Sequence, residues 1–216
     1  KGVPLSHGNI LSNIGGCLEA LDVKSSYVLY SFLPPFHSFG LTATTLLPLL
    51  TGMKNVFFPN PNASRKIAAG CRRWGVTLLA GTPSFIRNIY LAGTKEMFST
   101  LEIVVSGAER APETLFELVA QKSSAELCEG YGITECSPVV CVNFPKKMHS
   151  GVGQPLSGVK IAIASEDMQR ECAEGDRGLI LIQGPNVFAG YLTAASDPFV
   201  TFRGERWYNS GDLGFM

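Results

Sequence analysis

The sequence predicts an α/β fold: a doubly wound parallel sheet flanked by helices, followed by part of a small β subdomain. From Tyr27 onward, short apolar runs alternate with longer segments whose apolar residues have helical spacing, which is the rhythm of repeated βα units. Candidate strands such as 101–105 show little polar alternation, as expected for a sheet covered by helices on both faces. After about Pro145 the pattern changes to short strands punctuated by glycine, typical of a small barrel or bent sheet. We therefore predict an α/β subdomain over 1–145 and a small β subdomain over 146–216.

Each predicted element rests on its own run of residues. The strands of the first subdomain are predicted at 27–33, 54–58, 76–80, 101–106 and 125–130, and those of the second most clearly at 159–164 and 178–183. The helices are predicted at 40–50, 62–73, 83–92 and 112–122. Apolar spacing supports the helices; Ile67, Cys71 and Trp74, for example, are expected on one buried face.

Composition excludes several classes of protein. A hydrophobic content of 45%, a charged content of 17% and a formal net charge of +0 over 216 residues exclude a disordered chain. Lys and Arg total 18, as do Asp and Glu, so the balance gives no electrostatic reason to expect nucleic acid as a partner. Apolar runs fall far short of the about 20 residues that a membrane helix needs. The six cysteines form no CxxC pair and follow no secretory signal, so we expect reduced, mostly buried thiols in a cytoplasmic protein.

Three polar or glycine-rich loops directly follow predicted strands. Residues 34–37 follow the first strand, 106–109 the fourth and 130–135 the fifth. Open parallel sheets bind ligands at the carboxyl ends of their strands. We therefore expect the three loops to meet in one crevice.

The segment 129–135 carries the most specific chemistry. Glycines on either side of Tyr131 let the backbone approach a flat ligand while the ring offers a stacking face. Thr134 and Glu135 add a hydroxyl and a carboxylate, a pair suited to a phosphate oxygen and to Mg²⁺, which prefers few carboxylates plus substrate phosphates. Taken alone, the segment is equally compatible with an ordinary turn and a solvated glutamate.

Other motifs extend this pattern along the whole chain. They are 1–9 (KGVPLSHGN), 34–40 (PPFHSFG), 184–187 (GPNV) with 190–192 (GYL), and 207–212 (WYNSGD). In order and spacing the set resembles the acyl-adenylate-forming synthetases, which include acyl-CoA synthetases, luciferases and peptide-synthetase adenylation domains. The runs PPFHSFGLT, LPLLTG, SGAE, LCEGYGITECSPVV and VNFP look most like the acyl-acyl carrier protein synthetase domain of bifunctional acylglycerophosphoethanolamine acyltransferase/synthetase proteins. Long-chain acyl-CoA synthetases share much of this sequence, so the alternative of a long-chain acyl-CoA synthetase stays open.

The resemblance implies a role for each matching residue. Tyr131 matches the aromatic that packs on adenine, residues 107–109 match the loop bordering the adenine, and Asp212 matches the acid that takes the ribose hydroxyls. Thr134 matches the hydroxyl that meets a phosphate, and Glu135 matches the magnesium carboxylate. The resemblance thus implies ATP and Mg²⁺ as cofactors. The implied nucleotide-binding residues are Lys1, Gly107, Ala108, Glu109, Gly130, Tyr131, Gly132 and Asp212, and the implied catalytic residues are His37, Thr134 and Glu135.

Ordinary structural roles stay open for some of these residues. His37 matches a position near the carboxylate and acyl end of the pocket, but a histidine between two phenylalanines can equally be a packing residue. Asp212 can equally form a Ser-Gly-Asp turn. His7, at a helix start, and His149, in a polar connection, are better explained structurally. The apolar residues near the first loop would suit either an acyl tunnel or a plain core, and core is favoured for at least half of them. These residues are Phe36, Phe39, Leu41 and Leu46.

The chain departs from the family pattern in two places and lacks two parts. Leu179 stands where the family usually has glutamate, and Gln183 where arginine is common. The phosphate loop expected before Lys1 and the lysine-bearing terminal domain expected after Met216 are missing from the sequence. We therefore expect a piece of a larger protein that holds much of an ATP crevice and is inactive alone.

For the whole protein, the resemblance implies activation of a fatty acid by Mg·ATP to an acyl-adenylate, then transfer to a phosphopantetheine thiol. Acyl carrier protein is the expected acceptor, with CoA as the first alternative. A nucleotide-binding or carrier-protein-binding module without catalysis is the second. The whole protein is expected in the cytoplasm or at the inner face of the membrane.

Overall fold

Strand pairing in the computed structural model, which describes residues 2–145, 151–193 and 197–216, divides the strands between two sheets. The larger sheet has seven strands in the order β2-β1-β3-β4-β5-β6-β7. Its first five strands are parallel, as predicted, whereas β6 and β7 pair antiparallel. The connection between β5 and β6 covers only 133–138, which is too short for the crossover that a parallel pair requires. The strands are β1 Val28–Ser31, β2 Lys54–Phe57, β3 Leu78–Gly81, β4 Ile103–Ser106, β5 Glu126–Gly132, β6 Val139–Val142 and β7 Gln154–Pro155.

Helices lie at the predicted positions between the parallel strands. The predicted segment 40–50 consists of three pieces, α2, a π-helical turn at Thr42–Leu46 and α3, with Pro48 in the first turn of α3. The helix that begins at His7 is capped by Ser6, whose side chain accepts from the Asn9 backbone N–H. The α-helices are α1 His7–Ala20, α2 Ser38–Leu41, α3 Leu47–Thr51, α4 Ser64–Trp74, α5 Pro83–Ala92 and α6 Glu113–Lys122, and 3₁₀ turns cover Lys95–Phe98 and Thr134–Cys136.

Helices cover the large sheet on both faces, which confirms the doubly wound prediction. Leu29 and Tyr30, adjacent in β1, belong to two separate apolar clusters because neighbouring strand residues point to opposite faces. One cluster is closed by α4, α5 and α6 through Ile67, Ile86 and Leu115, and the other by α1 and α3 through Ile14, Cys17 and Leu47.

Trp74 does not share the buried face of α4. Ile67 and Cys71 are fully buried, but Trp74 is 44% exposed. It is the last residue of the helix, before Gly75 in the left-handed region, and its ring has the Lys54 ammonium 5.7 Å from its centroid. The prediction of a buried Trp74 is therefore wrong, because the helix ends where the ring can reach a cation at the sheet edge.

The smaller sheet is antiparallel throughout, in the order β10-β11-β9-β8. One of its faces packs on the β5–β6 turn, where Ile182 and Tyr208 join Cys136 and Val140 in a buried cluster. The large sheet reaches Pro155 and so continues into the predicted small subdomain. The predicted boundary at 145/146 adjoins residues 146–150, which are not described. The division into two subdomains therefore stays a prediction. The strands are β8 Lys160–Ala164, β9 Gly178–Gln183, β10 Phe199–Phe202 and β11 Glu205–Gly214.

The cysteines are mostly buried, as the sequence predicts. All six cysteines are free, and all but the half-buried Cys172 are buried. Burial raises the pKa of Cys17, Cys71, Cys128 and Cys141 to about 12. No helix in the described ranges is long and apolar enough to cross a membrane.

We predict that iodoacetamide at pH 8 modifies Cys172 first and reaches the other cysteines only on unfolding. A thiol whose pKa is raised far above 8 stays neutral, and the neutral thiol is a poor nucleophile. Mass spectrometry of the alkylated native chain, with Cys172→Ser as the control that removes the fast phase, measures this. Rapid native labelling of any second cysteine would contradict the burial described.

Candidate functional site

The three loops predicted to meet do meet at the carboxyl edge of the parallel strands. Strands β4 and β5 are parallel neighbours, and Ser106, the last residue of β4, lies opposite Glu129 in β5, which continues to Gly132. A Cβ atom placed on Gly107 would lie 3.4 Å from the Phe39 ring and 3.7 Å from the Gly130 carbonyl oxygen. Gly107 after β4 and Phe39 after β1 therefore lie close together beside the end of β5, and Ser38 after β1 lies at hydrogen-bond distance from Thr134 after β5. We call this place the carboxyl-edge crevice.

The loop after β1 is joined to the loop after β5 by two hydroxyls. Ser38 Oγ and Thr134 Oγ1 are 3.0 Å apart, at hydrogen-bond distance. His37 is exposed, and its Nδ1 accepts from the Phe39 backbone N–H at 3.2 Å as the N-cap of α2. Because its side chain is exposed, His37 is not a residue of the core.

Tyr131 and Asp212 connect the large sheet to the small one. The Tyr131 hydroxyl donates to Asp212 Oδ2 at 2.6 Å. A bulge in β11 presents the carboxylate, with Gly211 at φ 77° and the Asp212 N–H donating to Ser210 Oγ at 3.1 Å. Burial, and next the bond to Asp212, raise the pKa of Tyr131, so the phenol stays a neutral donor across the physiological range. Asp212 thus lies in a bulge of a strand, not in a free turn.

Glu135 is half-buried and has a defined partner. The Tyr191 hydroxyl donates to Glu135 Oε1 at 2.7 Å, and Tyr191 in turn hydrogen-bonds Tyr208. Burial, and next the bond to Glu135, raise the pKa of Tyr191. The carboxylate is therefore held in place by a chain of two phenols and is not a freely solvated side chain.

The donor set around Glu135 fits Mg²⁺ only when a ligand completes it. Among the described residues no group of three or more His, Cys, Asp or Glu side chains could hold a metal. Mg²⁺ is commonly bound by one or two carboxylates together with substrate phosphates and water. One oxygen of Glu135 is bonded to Tyr191, and the Thr134 hydroxyl is the adjacent polar group. The residues present suit a cation that arrives with a phosphate ligand.

The 107–109 loop has an unusual backbone and a buried support. Ala108 lies at φ 73°, in the region that favours glycine, and Glu109 is exposed. Glu129, 7% exposed, accepts from the Ala111 N–H through Oε1 at 2.8 Å and so fixes the far end of this loop. The sequence prediction did not single out Glu129; the signal for it was a carboxylate at the end of a buried strand.

Packing within the protein accounts for the two glycines that flank Tyr131. A Cβ on Gly132 would lie 2.4 Å from the Pro138 carbonyl oxygen, and one on Gly130 would lie 3.0 Å from the Cys141 carbonyl oxygen. The absence of side chains therefore lets β6 approach β5, in addition to any approach of a ligand.

The apolar residues proposed for an acyl tunnel or core do not behave as one group. Phe39 is buried in the apolar cluster on one face of the large sheet, and the partly buried Leu46 packs against the cluster on the other face, whereas Phe36 is 92% exposed and Leu41 is 37% exposed. Two of the four residues therefore belong to the core, as expected for at least half of them, and the other two are exposed. Lys1 and His149, each named in the sequence analysis, lie outside the described residues.

We predict opposite effects for two Gly→Ala substitutions. Gly132→Ala should destabilise the chain by at least about 2 kcal/mol, because its Cβ has no room beside Pro138. Gly15→Ala should stabilise it by about 0.5–1 kcal/mol, since Gly15 lies within α1 with no atom within 4 Å of the added Cβ. Urea unfolding followed by circular dichroism measures both, and equal effects would contradict the packing described.

Comparison with curated proteins finds relatives over the full length of the chain. A long-chain-fatty-acid–CoA ligase of Bacillus subtilis (strain 168) is 29% identical over 224 residues, covering 100% of this chain and 39% of the relative. A 4-coumarate-CoA ligase 2 of Narcissus pseudonarcissus is 26% identical over 230 residues, covering 100% of this chain and 40% of the relative. The chain thus spans about two fifths of the length of these relatives.

Solved structures have the same fold, and a family match assigns the chain. The crystal structure of ATP-bound MatB from Rhodopseudomonas palustris superposes with a TM-score of 0.90 at 27% identity, covering 100% of this chain and 43% of that one. A long-chain-fatty-acid-CoA ligase from Archaeoglobus fulgidus shares the fold with a TM-score of 0.86 at 24% identity, covering 100% of this chain and 46% of that one. The AMP-binding enzyme family matches residues 1–192, most of the sequence. The chain therefore belongs to the AMP-binding enzyme family.

Proposed function

We propose that the whole protein activates a fatty acid with ATP as an acyl-adenylate and then passes the acyl group to a phosphopantetheine thiol. The observation that carries the proposal is the meeting of Thr134, Glu135 and the Tyr131–Asp212 pair at one sheet edge, in a chain of the AMP-binding enzyme family. Ligands of open parallel sheets bind at this edge. Each group found there suits one part of ATP.

Tyr131 and Asp212 suit the nucleoside. The Tyr131 ring offers a face for adenine, and Asp212 is an exposed carboxylate that can accept from two ribose hydroxyls in charge-assisted bonds. Their mutual bond at 2.6 Å holds the phenol and the carboxylate close enough together to contact neighbouring parts of one ligand. Residues 107–109 and the backbone at Gly130 and Gly132 would border the base.

Thr134 and Glu135 suit the phosphates. Attack of a carboxylate on the α-phosphorus moves negative charge onto the pyrophosphate leaving group, and fixed donors and cations lower that barrier. The Thr134 hydroxyl can donate to a phosphate oxygen, and Glu135 would hold the Mg²⁺ that accompanies ATP. When bound, that ion supplies positive charge beside the leaving group. The phenol chain from Tyr208 through Tyr191 would keep Glu135 aimed at it.

The acyl side of the site is assigned to the loop after β1. His37 lies there, beside Ser38, which touches Thr134. With Nδ1 engaged as a helix cap, His37 has its Nε2 edge available to a substrate carboxylate. We assign His37 a site-lining role and propose no proton transfer through it.

The names of the relatives favour CoA as the thiol acceptor, because those of the fatty-acid and coumarate ligases specify CoA. The run PPFHSFGLT with LCEGYGITECSPVV favours acyl carrier protein. Both acceptors present the same phosphopantetheine thiol, so the crevice does not discriminate between them. CoA is the first proposal here and acyl carrier protein the second.

The decisive experiment measures the two half-reactions of the full natural protein separately. Fatty-acid-dependent exchange of pyrophosphate into ATP reports adenylation, and thioester formation is then assayed with CoA and with acyl carrier protein. Exchange with transfer to one thiol supports the proposal and identifies the acceptor. Exchange without transfer to either thiol would refute the second step. ATP binding without exchange would identify a non-catalytic module.

We predict that Glu135→Gln lowers pyrophosphate exchange at least about 100-fold in the full natural protein while changing the free energy of unfolding by less than about 1 kcal/mol. The amide keeps the shape and the acceptor for Tyr191 but loses the charge that a cation requires. Glu117→Gln, an exposed glutamate on α6, is the matched control and should leave exchange unchanged. Wild-type exchange in Glu135→Gln would show that another group holds the metal.

A further inference from the structure

Two buried asparagines from distant parts of the chain bind the same two carbonyl groups. Asn13 lies on α1 and Asn186 follows β9, and each is 1% exposed. Asn13 Nδ2 donates to Cys136 O at 3.2 Å and to Val139 O at 2.6 Å. Asn186 Nδ2 donates to the same oxygens at 3.0 and 3.2 Å. We call these two residues with their shared carbonyls the asparagine clamp.

The clamp closes the turn that follows Thr134 and Glu135. Cys136 is the residue after Glu135, and Val139 begins β6, so the two bonded carbonyls mark the two ends of the turn. Asn13 Oδ1 also accepts from the Val139 N–H at 3.3 Å. Backbone bonds also hold the turn, from the Ser137 N–H to Thr134 O at 3.1 Å and from the Ile133 N–H to Pro138 O at 2.8 Å. The side-chain amides add donors to the carbonyls of Cys136 and Val139, and buried carbonyls without donors are costly.

The backbone beside Asn186 reinforces the clamp. Ser137 Oγ donates to the Asn186 carbonyl at 2.9 Å, and the Phe188 N–H donates to the Glu135 carbonyl at 2.8 Å. Ser137 itself lies at φ 73°, in the left-handed region. The segment 186–188 is therefore bonded to the backbone of Glu135 itself as well as to the turn after it.

The same helix also holds the segment that carries Asn186. Asn9, one turn before Asn13 on α1, donates through Nδ2 to Pro185 O at 2.7 Å and to Val187 O at 3.0 Å. Helix α1 is thus hydrogen-bonded to the 134–139 turn directly through Asn13 and indirectly through the segment 185–188. Three asparagines join the large sheet, the amino-terminal helix and the small subdomain at the back of the carboxyl-edge crevice.

We propose that Asn13 and Asn186 are positioning residues for Thr134 and Glu135, which they hold by their backbone without contacting the ligand. The inference rests on the proposed function, in which those two side chains face the phosphates of ATP. The alignment of a hydroxyl and a carboxylate toward a leaving group tolerates little displacement. Loss of either amide loosens the turn. Stabilisation of the transition state should then fall more than the affinity for ATP, because ATP binding also uses Tyr131 and Asp212.

The test combines kinetics of the full natural protein with hydrogen exchange. Asn13→Ala and Asn186→Ala should each lower kcat for pyrophosphate exchange at least about tenfold while KM for ATP changes less than about threefold. The double variant should lose more than the two single losses combined, because in each single variant the remaining amide still bonds the same two carbonyls. Amide exchange over 136–139 should accelerate in each variant.

Ser123→Ala is the matched control. Ser123 is a buried polar residue that bonds Tyr90 Oη at 3.0 Å and Val119 O at 3.0 Å, on the side of the sheet covered by α6. It should lower the melting temperature while leaving kcat and exchange at 136–139 unchanged. If the asparagine variants lost stability but kept their kinetics, as Ser123→Ala is expected to do, the positioning role would be overturned.

A fallback variant covers the case in which neither buried variant folds. Asn9→Ala removes the bonds to Pro185 and Val187 together with the capping-box bonds that Asn9 Oδ1 accepts from Ser6, so Ser6→Ala, which disturbs the capping box alone, is its control. Faster exchange at 136–139 in Asn9→Ala but not in Ser6→Ala would support the clamp, whereas unchanged exchange, or equal acceleration in both variants, would overturn it. Failure of the proposed function gives a different result. Wild-type protein would then show no ATP-dependent exchange of pyrophosphate, while hydrogen exchange would still report whether the clamp holds the turn.

Discussion

Parallel pairing of β4 with β5 is the constraint on which the candidate site depends. Ser106, the last residue of β4, lies opposite Glu129, and β5 continues in the same direction to Gly132, so the loops that follow the two strands leave the same edge of the sheet. The Gly107 and Gly130 backbones are thereby brought together, and the loop from β1 reaches them through Ser38 and Thr134. A slip of one residue in this register would turn alternate side chains to the other face and separate the loops.

Much of the fold followed from periodicity. Five parallel strands and the helices between them lie where apolar runs and helical spacing predicted them, because burial on both faces of a sheet leaves a strong pattern in sequence. The meeting of the three loops also followed, since loops at the carboxyl ends of parallel strands must share an edge. The role of each residue within it came from the resemblance and stays a prediction.

Sequence could not predict contacts that depend on distant partners. Asn13 lies among ordinary polar and apolar helix residues, and nothing local indicates that its amide meets Cys136 and Val139. The partner of Asp212 is likewise 81 positions away. Trp74 was misplaced for a related reason: helical spacing predicts which face a residue occupies, but the core stops covering that face where the helix ends.

The bond between Tyr131 and Asp212 has a consequence for affinity. A ribose that takes the carboxylate of Asp212 must share it with a phenol or displace that phenol, so binding exchanges one hydrogen bond for another. The ribose contacts would then contribute less net affinity than their number suggests. In return, a nucleotide would meet a carboxylate that is already oriented, so little freedom of that side chain would be lost on binding. The pair would therefore favour selective and rapid binding of the nucleotide over high affinity.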